Sequence, residues 1–76
     1  MNKPRRKSLQ DIMEQLNALR EELETLKDEE QEYFDNMPEG LQGSERGEKA
    51  EEAISNLESA MDSIEEACNY IEEATA

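Results

Sequence analysis

The sequence predicts an all-α fold: two long amphipathic helices closed into an antiparallel, coiled-coil-like hairpin that pairs with a second copy as a four-helix bundle. Three observations carry this reading. Apolar residues recur in steps of three and four along two long segments. A stretch rich in proline and glycine separates the segments. Only 34% of the 76 residues are apolar while 38% are charged, so a core forms only if the apolar residues are concentrated on stripes.

Residues 1–7 contain Pro4 and a basic cluster without apolar partners, and are expected to form a flexible tail. Ser8 is the expected N-cap of the first helix, with Asp11 three residues on in a capping-box-like position. From there Leu9, Leu16 and Leu23 occupy heptad position a, and Ile12, Leu19, Leu26 and Tyr33 occupy position d. The helix is expected over residues 8–35. A turn over residues 36–44 follows, because Pro38 is costly inside a helix and Gly40 and Gly43 favour reversals. Ser44 is the expected cap of a second helix over residues 45–74, with Glu45 and Glu48 in its acid-favouring first turn. Residues 8–76 make one domain.

The second helix carries a degenerate sevenfold repeat. Ile54, Met61 and Cys68 fall at a; Ala50, Leu57, Ile64 and Ile71 fall at d. Alanine recurs at g, at Ala53, Ala60, Ala67 and Ala74, and widens the apolar stripe beyond a two-helix contact. Folding the chain about residue 40 brings together residues whose numbers total about 80. Leu26 then meets Ile54, Leu23 meets Leu57, Leu19 meets Met61, Leu16 meets Ile64, Ile12 meets Cys68 and Leu9 meets Ile71. The same register brings Arg20 toward Glu58 and Lys27 toward Glu51. Leu16, Leu19, Leu23, Leu57, Met61 and Ile64 are the expected central core.

A lone hairpin leaves one side of its seam open, so a second copy is expected to complete the bundle, using Met13, Phe34 and the alanine row. A parallel dimer through the first helix, with pairs such as Glu22 to Lys27 of the partner, is the alternative.

The chain has no histidine, and so no imidazole base and no Ser–His or Cys–His nucleophile pair. Cys68 at a core position reads as an inert buried thiol, or as a disulfide if that layer lies on a dimer axis. Asp28, Glu30, Glu32, Asn36 and Glu39 match positions of a calcium-binding loop, but Tyr33 stands where the sharp turn requires glycine. A di-iron carboxylate bundle would need Glu-x-x-His, and the glycines lack the spacing of a phosphate loop. The expectation is a non-enzyme with no metal or cofactor.

Charge is the remaining signal. The net charge is −13, and beyond the four bases of the first seven residues 21 acids stand against 4 bases, a balance of −17. Such a body repels bare nucleic acid and attracts a protein with a basic surface. The candidate acidic partner face comprises Glu52, Glu58, Asp62, Glu65, Glu66, Glu72 and Glu73, which also serve as a solvated surface. Nothing in the sequence favours a membrane, and a cytoplasmic location is expected. Lys3, Arg5, Arg6 and Lys7 are read as a contact to the acidic body of a neighbour or as a solubilising start; a DNA-binding regulator using them is a weaker alternative.

The segment Asp28–Glu48 joins an acidic stretch, Tyr33-Phe-Asp-Asn-Met-Pro-Glu-Gly-Leu41, and a Ser-Glu-x-Gly step at Ser44–Gly47. In this it resembles small acidic helical proteins encoded by bacteriophages and prophages. The resemblance implies an accessory protein acting inside a bacterial host and assigns no activity to individual positions. It favours binding to a host protein, with blocking of a basic nucleic-acid-binding protein by charge mimicry as the sharper version. An assembly or scaffolding role within phage particles is the alternative.

Overall fold

A computed structural model describes all residues, Met1–Ala76. Three helices follow one another: α1 (Lys3–Asp35), the single turn α2 (Glu39–Gln42) and α3 (Glu45–Thr75). α1 and α3 lie antiparallel in a rod of 58 × 15 × 12 Å.

The basic residues are not a flexible tail; they open α1. Asn2 is the N-cap, its side chain accepting the Arg5 N–H at 2.8 Å, and Pro4 sits in the first turn. Proline is tolerated there because that N–H has no intrahelical partner in any case. Ser8, expected as the cap, lies inside the helix, and its hydroxyl donates to the Pro4 carbonyl at 3.1 Å.

α1 ends at Asp35, before Pro38, which cannot continue the hydrogen-bond ladder. Met37 folds back and is buried. The Gln42 amide donates to the carbonyls of Phe34 and Met37 at 3.2 and 3.3 Å, tying the turn to the end of α1. Ser44 precedes α3 in an extended conformation, but its hydroxyl donates back to Leu41 instead of capping α3. Gly40 and Gly43 have negative φ and open space around them, so neither is required by backbone geometry. Gly47 is the glycine that matters: a Cβ there would stand 2.0 Å from the Gln42 carbonyl oxygen.

The helical turn α2 delays the reversal, and the register differs from expectation. Arg20 pairs with Glu65 at 3.6 Å, and the Cys68 thiol lies 3.8 Å from Asn17 Oδ1. Both contacts total 85 in residue number where about 80 was expected. Five is not a multiple of the heptad, so the same stripe of α3 meets a different stripe of α1. α3 turns a and d inward: Ala50, Ile54, Met61 and Cys68 are buried, and Leu57, Ile64 and Ile71 are half-buried. α1 turns a and e inward: Leu9, Met13, Leu16, Arg20, Leu23, Lys27, Glu30 and Phe34 are all half-buried.

Position d of α1 is consequently not part of the hairpin seam. Ile12, Leu19, Leu26 and Tyr33 remain 45%, 51%, 53% and 47% exposed, and their expected layers with Cys68, Met61 and Ile54 do not form. Met13 and Phe34, expected to serve a second face, turn inward instead. Arg20 does not reach Glu58, and Lys27 pairs with its neighbour Asp28 at 3.4 Å instead of with Glu51.

Gly47→Ala should destabilise the hairpin by about 1–3 kcal/mol, because the added methyl meets backbone that cannot move without shifting the turn. Gly43→Ala should be neutral, or stabilising by about 0.4–1 kcal/mol through the unfolded chain. Paired urea melts followed by circular dichroism measure the contrast.

Candidate interaction surface

An antiparallel pair of right-handed helices has two distinct long sides, and this hairpin divides its residues between them by type. One side carries the e rows, where Arg20 meets Glu65. On it Gln31, Phe34, Glu51 and Glu58 line a single shallow depression. The other side carries position d of α1 beside position g of α3. There Tyr33 of α1 shares a depression with Arg46 and Lys49 of α3.

The second side gathers the exposed d stripe and the alanines; its g and c rows on α3 hold no acid, and Glu45 of the first turn, paired with Lys49, lies at its turn end. Its g row holds Arg46, then Ala53, Ala60 and Ala67, half-buried, and Ala74, exposed. The neighbouring c row holds Lys49, Asn56, Ser63 and Tyr70, the last 64% exposed. The acids of α3 stand on rows b, e and f, including all seven expected on a partner face: Glu52, Glu58, Asp62, Glu65, Glu66, Glu72 and Glu73 are exposed. The f row of α1 adds Glu14, Glu21, Asp28 and Asp35, also exposed. A side whose α3 rows carry no acid, bordered on α1 by Glu22 and Glu29, and an acidic remainder are the two surfaces on offer.

The seam between the helices is thin. Only Met37, Ala50, Ile54, Met61 and Cys68 form the buried apolar core, and the row facing them includes Arg20, Lys27 and Glu30. Arg20 and Lys27 lie along the seam with their aliphatic stems, keeping the charged ends toward water. Arg20 Nε is nevertheless buried without a hydrogen-bond partner.

Comparison with protein-family models, curated proteins and solved structures finds no match to this chain. No helix is long and apolar enough to cross a membrane. Asp28–Asp35 is continuous helix, so the carboxylates of the calcium-loop pattern point around α1 and do not converge, and no three acids or thiols group as metal ligands.

Gln42 carries no heptad signal, and Met13, Arg20, Lys27 and Phe34, expected at a second face or as flank charges, form the inward e row of α1. Gly47 had one legible signal: it is the only glycine at an a position of the second heptad pattern, where a missing side chain makes room for another backbone.

Arg20→Met should preserve the stem's packing while removing the unpartnered Nε–H. The Glu65 carboxylate is 61% exposed, so losing that ion pair matters little. The variant should be neutral or up to about 1 kcal/mol more stable. Met61→Ala, at a buried position, should cost about 2–4 kcal/mol. Both are read from denaturant midpoints at one protein concentration.

Proposed function

We propose that this chain is a self-associating helical protein that binds another protein, presenting its acidic exterior to a basic surface on that partner. The observation that carries the reading is the segregation of acids. On α3 they avoid the two rows beside the exposed d stripe of α1 and fill the others. Solubilising charge alone gives no reason for two adjacent rows of α3 to lack acids while its other exposed rows carry ten. The apolar side serves the homodimer, giving a four-helix bundle with carboxylates around its outside.

Dense carboxylates on a rigid rod attract cationic surfaces at long range, and a site that binds the phosphates of DNA presents such a surface. Blocking a host nucleic-acid-binding protein by charge mimicry is the sharper form of the proposal. The resemblance of the turn segment to phage-encoded proteins supports a setting inside a bacterial host. The exposed stripe on α1, running most of the rod, supports a second reading as an assembly element of phage particles.

Capture of host proteins on the immobilised chain, with nucleases added and elution by rising salt, separates the readings. The expected outcome is one basic protein released at moderate salt, whose binding to this chain is displaced by a DNA duplex. Simultaneous binding of DNA and this chain removes the mimicry. Retention only of phage structural proteins, or assemblies larger than a dimer, supports the assembly role. Deleting residues 1–7 should not abolish partner binding, and should alter stability by less than about 1 kcal/mol. The deletion removes unfavourable positive charge from a helix N-terminus and leaves Ser8 to cap the shortened helix.

A further inference from the structure

We infer that the second copy docks with its hairpin pointing the same way, related by a two-fold axis along the rod, so that the d stripe of each α1 lies on the alanine row of the other α3. This rests on the self-association proposed above and specifies its geometry.

Surface area argues that a partner belongs there. The hairpin exposes 5701 Å². A globular monomer of 8.7 kDa would expose about 4,700 Å². The excess of roughly 1,000 Å² is comparable with the about 800 Å² that each partner contributes to a standard interface. The apolar side is the one place where it can be covered without burying carboxylates of α3.

The side is complementary to itself in one orientation. Two copies can meet face to face about an axis along the rod or about one across it. With the lengthwise axis, α1 of each copy packs antiparallel on α3 of the other. Residues level with one another then keep the totals near 85 set by the Arg20–Glu65 and Asn17–Cys68 contacts. Leu26 falls level with the second copy's Ala60 and Leu19 with its Ala67, and the same holds at the two outer layers. Every large residue has a small one opposite, the condition for close approach of helices.

With the crosswise axis, leucine meets leucine and alanine meets alanine, which overfills one seam and leaves the other gapped. Charge makes the same choice. Glu22 and Glu29, which border the d stripe on α1, face each other across the crosswise axis. With the lengthwise axis they face the acid-free c row of α3, at Ser63 and Asn56.

The test uses the full chain with Cys68→Ala, which frees labelling chemistry. A spin label on Arg5→Cys, in the d row at the end away from the turn, should report a short distance between copies; the crosswise arrangement gives one of roughly 45–60 Å on the 58 Å rod. In a second readout, chains with Leu26→Cys are mixed with chains with Ala60→Cys and oxidised. The expected product is the mixed disulfide, with neither variant linking to itself. Leu19→Glu should weaken dimerisation at least a hundredfold while leaving the helical spectrum of the monomer in place. A monomer by sedimentation equilibrium in the parent chain overturns both this geometry and the self-association it rests on. A dimer with long label distances or Leu26-to-Leu26 links overturns the geometry alone.

Discussion

Where the chain reverses decides which face of α1 is inside, and that depends on the close approach of two backbones at Gly47 and Gln42. The Gln42 side chain holds the carbonyls of Phe34, in the last turn of α1, and of Met37 just beyond it, while its own carbonyl lies where any Cβ on Gly47 would stand. Together they bring the start of α3 tightly under the turn and place the reversal at α2. From that point the helices run side by side with nothing further to correct their phase. A displacement of a few residues at the turn becomes a rotation of α1 along its whole length, since each residue advances the helix by about 100°.

That rotation accounts for the thin seam. Position e of α1 contains two bases as well as Met13 and Phe34, so part of its inward surface is covered by the stems of Arg20 and Lys27 instead of by leucine. Five apolar residues are buried in a chain of 76, a small core even for a domain of this size. The apolar material displaced from the seam is gathered on one side, next to the alanines. The residues that would strengthen the isolated hairpin are thus available for association, which couples stability to protein concentration.

Charge follows the same division. Carboxylates surround the rod wherever no second helix layer is proposed, and their mutual repulsion disfavours any packing that would bring these surfaces together. At the end away from the turn, the Lys3–Lys7 turn of α1 reaches past the last residues of α3, because residues near 9 already lie level with the C-terminus in the observed register. The rod therefore has a basic tip on an acidic shaft. Neither helix end is favourable to its own dipole: α1 has no acid in its first turn and α3 no base in its last.

The helical class and the end of α1 at Asp35 follow from heptad spacing and a proline, and the start of α3 at Glu45 was legible from its acids, although Ser44 makes no capping bond. The inward stripe of α3 was equally legible, because Ile54, Met61 and Cys68 fall at a, and Leu57, Ile64 and Ile71 at d, of its sevenfold repeat. The inward stripe of α1 was not. Its d row is the most apolar, and pattern alone places it inside; the Asn2 cap was likewise missed because Ser8 offered a more familiar signature. Heptads repeat, so sliding one helix along another changes which stripes meet while leaving each stripe intact. Choosing among such registers requires the three-dimensional path of the turn, and that path depends on one backbone-to-backbone contact between residues 42 and 47. Periodicity thus determined that there would be helices and which residues could be apolar contacts; tertiary structure decided which of those contacts lie within the chain and which remain open.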